Sequence, residues 1–428
     1  MSRNRVIYNV QDVFIGSLPD ETDVTITGAA GYQVLQRINR VQTFNYDVSP
    51  TLEKHMQLGK SSHFNRTYDL PTTVNVSLSY LSNGVNNEMR MGLTTDNDLG
   101  SQVNQQKNIL HDISASEGIS GRNIYLIVNN KDEDFHKSKS EAYPSALLPA
   151  IGFNKSDVVD PNSSDYTVVV FQNCHLASYR LQAGVGSHVK VDASFEADNI
   201  IGYDGANGVK IPYLNLKSGL VEESAQEFIV PNYFNRDSLC NEDKTMITGP
   251  DKISLEIQKV GGSQHGANYH TDNVQGAQLS VEVPREDVNY VGYKMTAAKP
   301  LRFPVESKLE LDLLTKSTPT GSYIENLKDA EEYNITMDLK DSKSETVAKY
   351  IISGAKLEGL DYSSSIGSNK VSHISFSTSM DFDNNTNGVY VSGALDHVCA
   401  QVLDKDEKTV LADDGSTIVQ GTAFYPRY

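Results

Sequence analysis

The sequence predicts a mainly β protein built from two tandem β-sandwich or barrel domains, each with a short helix. Three observations carry that prediction. Period-two runs recur, as in "TTVNVSLSYL" (72–81), where Val74, Val76, Leu78 and Tyr80 alternate with Asn75, Ser77 and Ser79. Successive side chains of a strand point to opposite faces, so this alternation is the strand signature. Composition agrees: Gly, Ser, Asn, Asp and Thr are plentiful beside 22 Tyr and 13 Phe, with no Trp, a mixture of turn formers and strand formers. The third observation is an internal repeat, and a chain of 428 residues is long enough for two or three domains.

The repeat places residues 41–81 over residues 274–314 without a gap, at an offset of 233. Val41-Gln42 meets Val274-Gln275, Gly59 meets Gly292, and Pro71 meets Pro304 just before each copy enters a strand. In the second copy Leu309, Leu311 and Leu313 alternate with Lys308, Glu310 and Asp312 in the same phase as the first. A second pair of segments follows at an offset of 181. "LASYRLQAGVGSHVKVDASFEA" (176–197) lies over "LEGLDYSSSIGSNKVSHISFST" (357–378), so that Gly186-Ser187 meets Gly367-Ser368 and Ser194-Phe195 meets Ser375-Phe376. Each of these blocks reads as strand, Gly-Ser turn, strand.

The fall in offset leaves 52 extra residues in the first copy, within a polar stretch at about 82–165 that reads as surface loops. The corresponding part of the second copy, "SYIENLKDAEEY", spaces Ile324, Leu327 and Glu331 as in a short amphipathic helix. Residues 202–220, rich in Gly, Asn and Pro, read as the linker. The domains are therefore placed at 1–210 and 211–428.

Net charge is −18, and both halves share it: residues 1–214 carry 17 basic and 23 acidic groups, residues 215–428 carry 20 and 32. Gripping nucleic acid requires Lys and Arg to neutralise phosphates, so this chain is a poor phosphate binder, although it can sit beside DNA. No stretch approaches the roughly 20 apolar residues of a membrane helix, and the start lacks a signal-peptide core. Cys174, Cys240 and Cys399 are far apart and read as reduced thiols.

Chemistry is not written in recognisable motifs. There is no G-x-S-x-G elbow and no phosphate loop, and "AGVGSHV" (183–189) joins two strands, as a turn does. His265 and His270 lack further ligands nearby, and "DNNTNG" (383–388) begins a calcium loop whose twelfth position is Ala394 rather than Glu. The expectation is a structural or binding protein, with no enzyme activity, no metal and no cofactor.

The order of these elements resembles the tail tube proteins of long-tailed bacteriophages. An extended segment "INRVQTFNYDVSPTLEKHMQLGK" precedes the strand "TTVNVSLSYL". An insertion follows, and then "VVVFQNCHLASYRLQAGVGSHVKVDASFEADNI" looks like the closing hairpin of a tube domain. The pattern covers about 32–81 and 166–201, and again about 265–314 and 346–382. The family's usual member has one domain and forms hexameric rings; this chain departs by carrying two. The resemblance implies trimeric, pseudo-hexameric rings whose inner strands join across subunits into a barrel, stacked around a lumen that conducts double-stranded DNA. It also implies self-association, contact with tape measure, terminator and distal tail proteins, and residence in the virion tail after synthesis in the bacterial cytoplasm.

The strands expected in such a barrel are 41–48, 72–81 and 189–197, with 274–283, 305–314 and 371–382 in the second copy. Their polar faces, Asn75, Ser77, Ser79, Lys190, Asp192 and Ser194, then Lys308, Glu310, Asp312, Ser375 and Ser377, are the residues expected at the lumen or an inter-subunit layer. An alternating strand shows one polar face in an ordinary solvated sheet as well. The loop 82–165, the arm 1–30 and the region 389–428 are the expected ring-to-ring contacts. Rival readings are another tail component (distal tail, terminator or baseplate hub protein) and a host- or carbohydrate-binding β-sandwich, which would expose aromatic clusters on its loops.

Overall fold

A computed structural model describes residues 11–17, 32–55, 58, 61, 65–82, 84–96, 107–115, 121–129, 158–159, 166–204, 210–231, 253–260, 269–270, 274–314, 332–340, 344, 346–363, 371–380, 387–393, 410–411 and 417–418. The elements of the first half are β1 (Gln11–Ser17), β2 (Tyr32–Val34), β3 (Gln36–Arg37), β4 (Val41–His55), β5 (Asn65–Leu81), α1 (Asn86–Arg90), α2 (His111–Ala115), β6 (Arg122–Asn129), β7 (Val158–Val159), β8 (Tyr166–Gly184), β9 (Ser187–Ala197) and β10 (Asn199–Asp204). Between the halves lie β11 (Lys210–Asn215) and β12 (Leu220–Pro231). The second half holds β13 (Ile253–Lys259), β14 (Tyr269–His270), β15 (Val274–Glu282), β16 (Val305–Leu314), β17 (Glu332–Lys340), β18 (Thr346–Ser363), β19 (Val371–Met380), β20 (Gly388–Gly393), β21 (Val410–Leu411) and β22 (Thr417–Ile418). The chain is mainly β, as its alternating sequence predicts.

Sixteen strands form one sheet. Its central run is β4-β5-β9-β8 from the first half, followed by β15-β16-β19-β18 from the second. Each half thus lays its strands in the same order, and the registers agree at the offsets read from the sequence. Ser77 pairs with Ser194 and Glu310 with Ser375; Tyr179 pairs with Ala193 and Leu360 with Ile374. Even the irregularities recur. Register shifts fall between Val41 and Thr43 and between Val274 and Gly276, and again between Leu176 and Ser178 and between Leu357 and Gly359. A bulge re-aims every later residue of its strand, so its position is a demanding point of comparison.

Long strands carry two pairing zones each. The N-terminal part of β8 pairs with β6 and β10, and that of β18 with β17 and β20, while their C-terminal parts pair with β9 and β19. The turn between β8 and β9 is the Gly-Ser turn expected, with Gly186 at φ +81. Within the chain the sheet stays open rather than closing into a barrel; among the described residues β4 pairs with β5 alone.

Alternation fills the core. Val74, Val76, Leu78 and Tyr80 of β5, Val189, Val191, Ala193 and Phe195 of β9, and Leu309, Leu311 and Leu313 of β16 enter one apolar cluster that spans both halves. A second cluster, with Phe14, Tyr125, Val168, Ile211 and Val230, lies beneath β11 and β12. The segment 283–304 fixes the halves together. The Val283 amide donates to the Ala177 carbonyl at 2.8 Å, the Arg285 guanidinium to the Leu176 and Lys299 carbonyls, and Lys299 Nζ meets Asp198 at 2.7 Å.

Two expectations need correction. Within the expected linker 202–220, the described residues include the end of β10, β11 and the start of β12; Ile211 enters the second cluster, and Pro212 and Leu214 are buried as well. Likewise, 82–165 is not loop throughout. The apolar run Ile124–Val128 makes β6 an interior strand between β1 and β8, and α1 buries Asn86, Asn87 and Glu88. The helix expected over 322–333 lies mostly outside the described residues, as do His265 and the start of "DNNTNG".

Candidate assembly surface

Cα partners across an antiparallel ladder carry their side chains on one face. The central run therefore sorts the eleven expected polar residues without ambiguity. One row crosses Ser79, Asp192, Arg180, Ser280, Lys308 and Ser377, passing from the first half to the second. The next holds Lys190, Gln182, Gln278, Glu310 and Ser375. Ser77 and Ser194 share a third row with Ser178, Asn75 stands opposite Glu196, and Asp312 opposite His373. All eleven residues lie on one polar face, opposite the core. Ser79 departs from its neighbours: Asn75 and Ser77 are exposed, but Ser79 is only 3% exposed, flanked by its ladder partners Thr43 and Asp192.

The same rows contain residues that the sequence did not bring forward: Ser178, Arg180 and Gln182 of β8, and Gln278 and Ser280 of β15. Their signal was present in the alternation of Tyr179, Leu181 and Ala183 with these polar positions. The bulge at Ala177 hid it by breaking the phase of β8.

Cations on this face sit beside acceptors. Lys190 Nζ lies 3.0 Å from Asp192, Lys308 Nζ 2.7 Å from Glu310, and the Arg180 guanidinium donates to Gln278 Oε1. The Gln278 amide donates to Glu310 at 3.0 Å, and the His373 ring is 2.8 Å from Asp312. The Lys308 ammonium, by hydrogen bond and by charge, holds the Glu310 carboxyl below the usual carboxylate range, and Glu310 holds Lys308 above its own. Exposed pairs like these add little stability. Their effect is local: Lys190, Lys308 and Arg180 each already have an anion or amide oxygen at hand.

The ends of the central run differ from its middle. Inside the chain β15 covers the C-terminal part of β8, pairing Leu279 with Leu181 and Val281 with Tyr179. Leu279 and Val281 are consequently 0% and 1% exposed. The corresponding residues of β4, Tyr46 and Val48, lie at an open edge and are 49% and 37% exposed. At the other end, residues 357–363 of β18 pair with β19 on one side and, among the described residues, with no strand on the other. An open edge of this kind is a pairing site for another strand.

No protein-family model and no curated protein matches this sequence. Solved structures are similar to about a third of the chain, at low TM-scores. A chain of the anti-feeding prophage baseplate aligns at 12% identity over 33% of this chain and 93% of its own, with a TM-score of 0.24. A chain of a gene transfer agent virion aligns at 9% identity over 33% and 97%, with the same score, and an Hcp protein at 9% identity over 32% and 97%, with a score of 0.20.

Proposed function

We propose that this chain is a structural tail subunit whose two halves are a tandem duplication of one tube-type β unit, and that three copies close into a pseudo-hexameric ring. Stacked rings form a tube through which double-stranded DNA passes from capsid to host. One observation carries the reading: the chain already joins two units of like strand order end to end, through β8 and β15, and among the described residues the matching edges of β4 and of residues 357–363 of β18 have no further strand paired to them. A head-to-tail contact between equivalent edges repeats until it closes, and closure removes every open edge.

The polar face supports the conducting role. A wall that passes DNA must not hold phosphates, and holding them requires cations free to replace counterions. Here Lys190, Lys308 and Arg180 are matched by Asp192, Glu310 and Gln278 on a chain of net charge −18. The neighbours in this reading are further copies of the chain and the proteins at the two ends of the tube. The site is the virion tail, and no catalytic step is assigned.

Negative-stain microscopy of the purified chain tests the proposal. Threefold rings with a central hole, or hollow tubes, are the expected result. Dispersed monomers at high protein concentration would overturn it, and single rings that never stack would point instead to a tip or terminator component.

A further inference from the structure

We infer that copies of this chain meet by pairing β4 of one with the C-terminal part of β18 of the next, in a register that sets Asp47 opposite Asp361 and makes this seam weaker than the one inside the chain. The inference rests on the ring reading above and adds its register and its electrostatics.

The register is carried over from the internal junction. There Leu279 pairs with Leu181, Ser280 with Arg180, Val281 with Tyr179 and Glu282 with Ser178. Pairing with β5 and β16 equates β4 with β15 at 233, and pairing with β9 and β19 equates β8 with β18 at 181, bulges included. Between copies, Tyr46 then meets Tyr362, Asp47 meets Asp361, Val48 meets Leu360 and Ser49 meets Gly359.

The exposures fit this partner. Tyr46 and Val48 are exposed where Leu279 and Val281 are buried, and Leu357 and Leu360 are half-buried where Leu176 and Tyr179 are buried. The occupant is a second copy. β4 and β18 end opposite sides of one central run, with six strands between them, so one chain supplies both halves of the contact only to different neighbours.

The two seams differ in charge. Inside the chain, neutral Ser280 faces cationic Arg180; between copies, two exposed carboxylates face each other, on a row that continues to His373 and Asp312. Like charges directly opposite on paired strands destabilise the pairing, and salt screens them. The internal junction is therefore permanent, whereas closure between copies responds to ionic strength.

Sedimentation of the full chain at about 0.05 and about 0.5 M salt reads this directly. Wild type is expected to associate more strongly at the higher salt. At low salt, Asp47→Lys and Asp361→Lys are each expected to associate about fivefold more tightly, and the double variant, with two cations opposed, to lose that gain. Register is read by disulfide trapping in a Cys240→Ser, Cys399→Ser background. Asp47→Cys with Asp361→Cys should link chains on oxidation, whereas Asp47→Cys with Leu360→Cys, whose side chains leave opposite faces, should not. Rings that form without either signature overturn the register and leave the ring reading standing. A chain that stays monomeric in every variant and salt overturns the ring reading itself.

Discussion

Glu88 is a buried side chain whose replacement should markedly change the stability of this fold. It sits on α1, 1% exposed, and its Oε1 accepts hydrogen bonds from Tyr80 at 2.7 Å and Tyr179 at 3.1 Å. Tyr179 in turn lies 2.9 Å from the Tyr350 hydroxyl. A single proton assignment satisfies all three contacts: Tyr350 donates to Tyr179, and Tyr179 and Tyr80 donate to the carboxyl. Tyr80 and Tyr179 come from β5 and β8 and Tyr350 from β18, so this buried node ties the two halves together. Glu88→Ala removes both acceptor contacts at once. Tyr179 keeps Tyr350, but the Tyr80 hydroxyl is left buried without its acceptor, at about 1–3 kcal/mol. The cavity adds to this, and a total near 3 kcal/mol is expected by urea denaturation.

The pH dependence separates charge from packing. Burial pushes the Glu88 carboxyl above its ordinary range, and the two tyrosine hydrogen bonds offset only part of that rise. A carboxyl whose folded pKa exceeds its unfolded one binds its proton more tightly in the folded state. Its stabilising effect is complete below the unfolded value, near about 4.3, and is lost as pH climbs through the folded value. Glu88→Gln keeps an acceptor oxygen and has no charge to bury. The stability difference between wild type and Glu88→Gln should therefore move against wild type as pH rises, by up to about 1.4 kcal/mol per pH unit within that window. Taking the difference cancels the titration of every other group. A difference that stays flat with pH would refute the buried-carboxyl reasoning, and a Glu88→Ala variant within 0.5 kcal/mol of wild type, about the spread of ordinary surface substitutions, would refute the node.

Other predictions follow from single contacts. His175, 2% exposed and pushed down to about 3 by burial, with Arg285 and Lys299 adding to the shift, should make the fold lose stability as pH falls from about 6.5 toward 3; His175→Gln should flatten that limb in acid denaturation. Lys299→Met removes the cation beside the buried Asp198 carboxyl, leaving it the Asn173 amide among the described residues, and should cost about 3–5 kcal/mol by thermal or chemical melting. Gly354→Ala should destabilise more than Gly186→Ala. Both residues have positive φ, +64 and +81, but a Cβ at Gly354 would land on the Asn387 amide, whereas at Gly186 nothing lies within 4 Å. The second change costs about 1–2 kcal/mol of backbone strain alone, measured in the same melts.

Period-two alternation located β9, β15, β16 and β19 within two residues, because a strand with one buried face must alternate along its length, but it caught only Val41–Val48 of β4 and Thr72–Leu81 of β5, each of which runs seven residues further. The eleven polar residues were legible for the same reason, and all reached one face. What stayed hidden has physical causes. β6 reads "RNIYLIVN", apolar on both faces, because it lies in the sheet interior between β1 and β8 with a core on each side. Such a run has no period, and inside a long polar stretch it passed for loop. β8 was missed as a wall strand because its bulge shifts the alternation midway. The burial of Glu88 was invisible too, since a carboxylate three residues into a polar segment ordinarily faces water, and only the convergence of three distant tyrosines makes its burial tolerable.

The two halves retain few identical residues yet share their pairings, and this divergence bears on how a ring of such units would behave. Register is set by alternation and by bulge position, both of which survive substitution so long as apolar stays apolar and polar stays polar. Phe195 and Phe376 hold the same place, but Tyr80 is matched by Leu313 and Tyr179 by Leu360. The Glu88 node therefore has no counterpart at the equivalent positions of the second half, where the two tyrosines that donate to the carboxyl are replaced by leucines. A duplicated chain can use that freedom where a single-unit chain cannot. Identical units must make every seam alike, whereas fused units can set Arg180 against Ser280 at one seam and Asp361 against Asp47 at the next. In the proposed ring, the seam that never needs to open would then be the stronger one, and the seam between chains would be left adjustable.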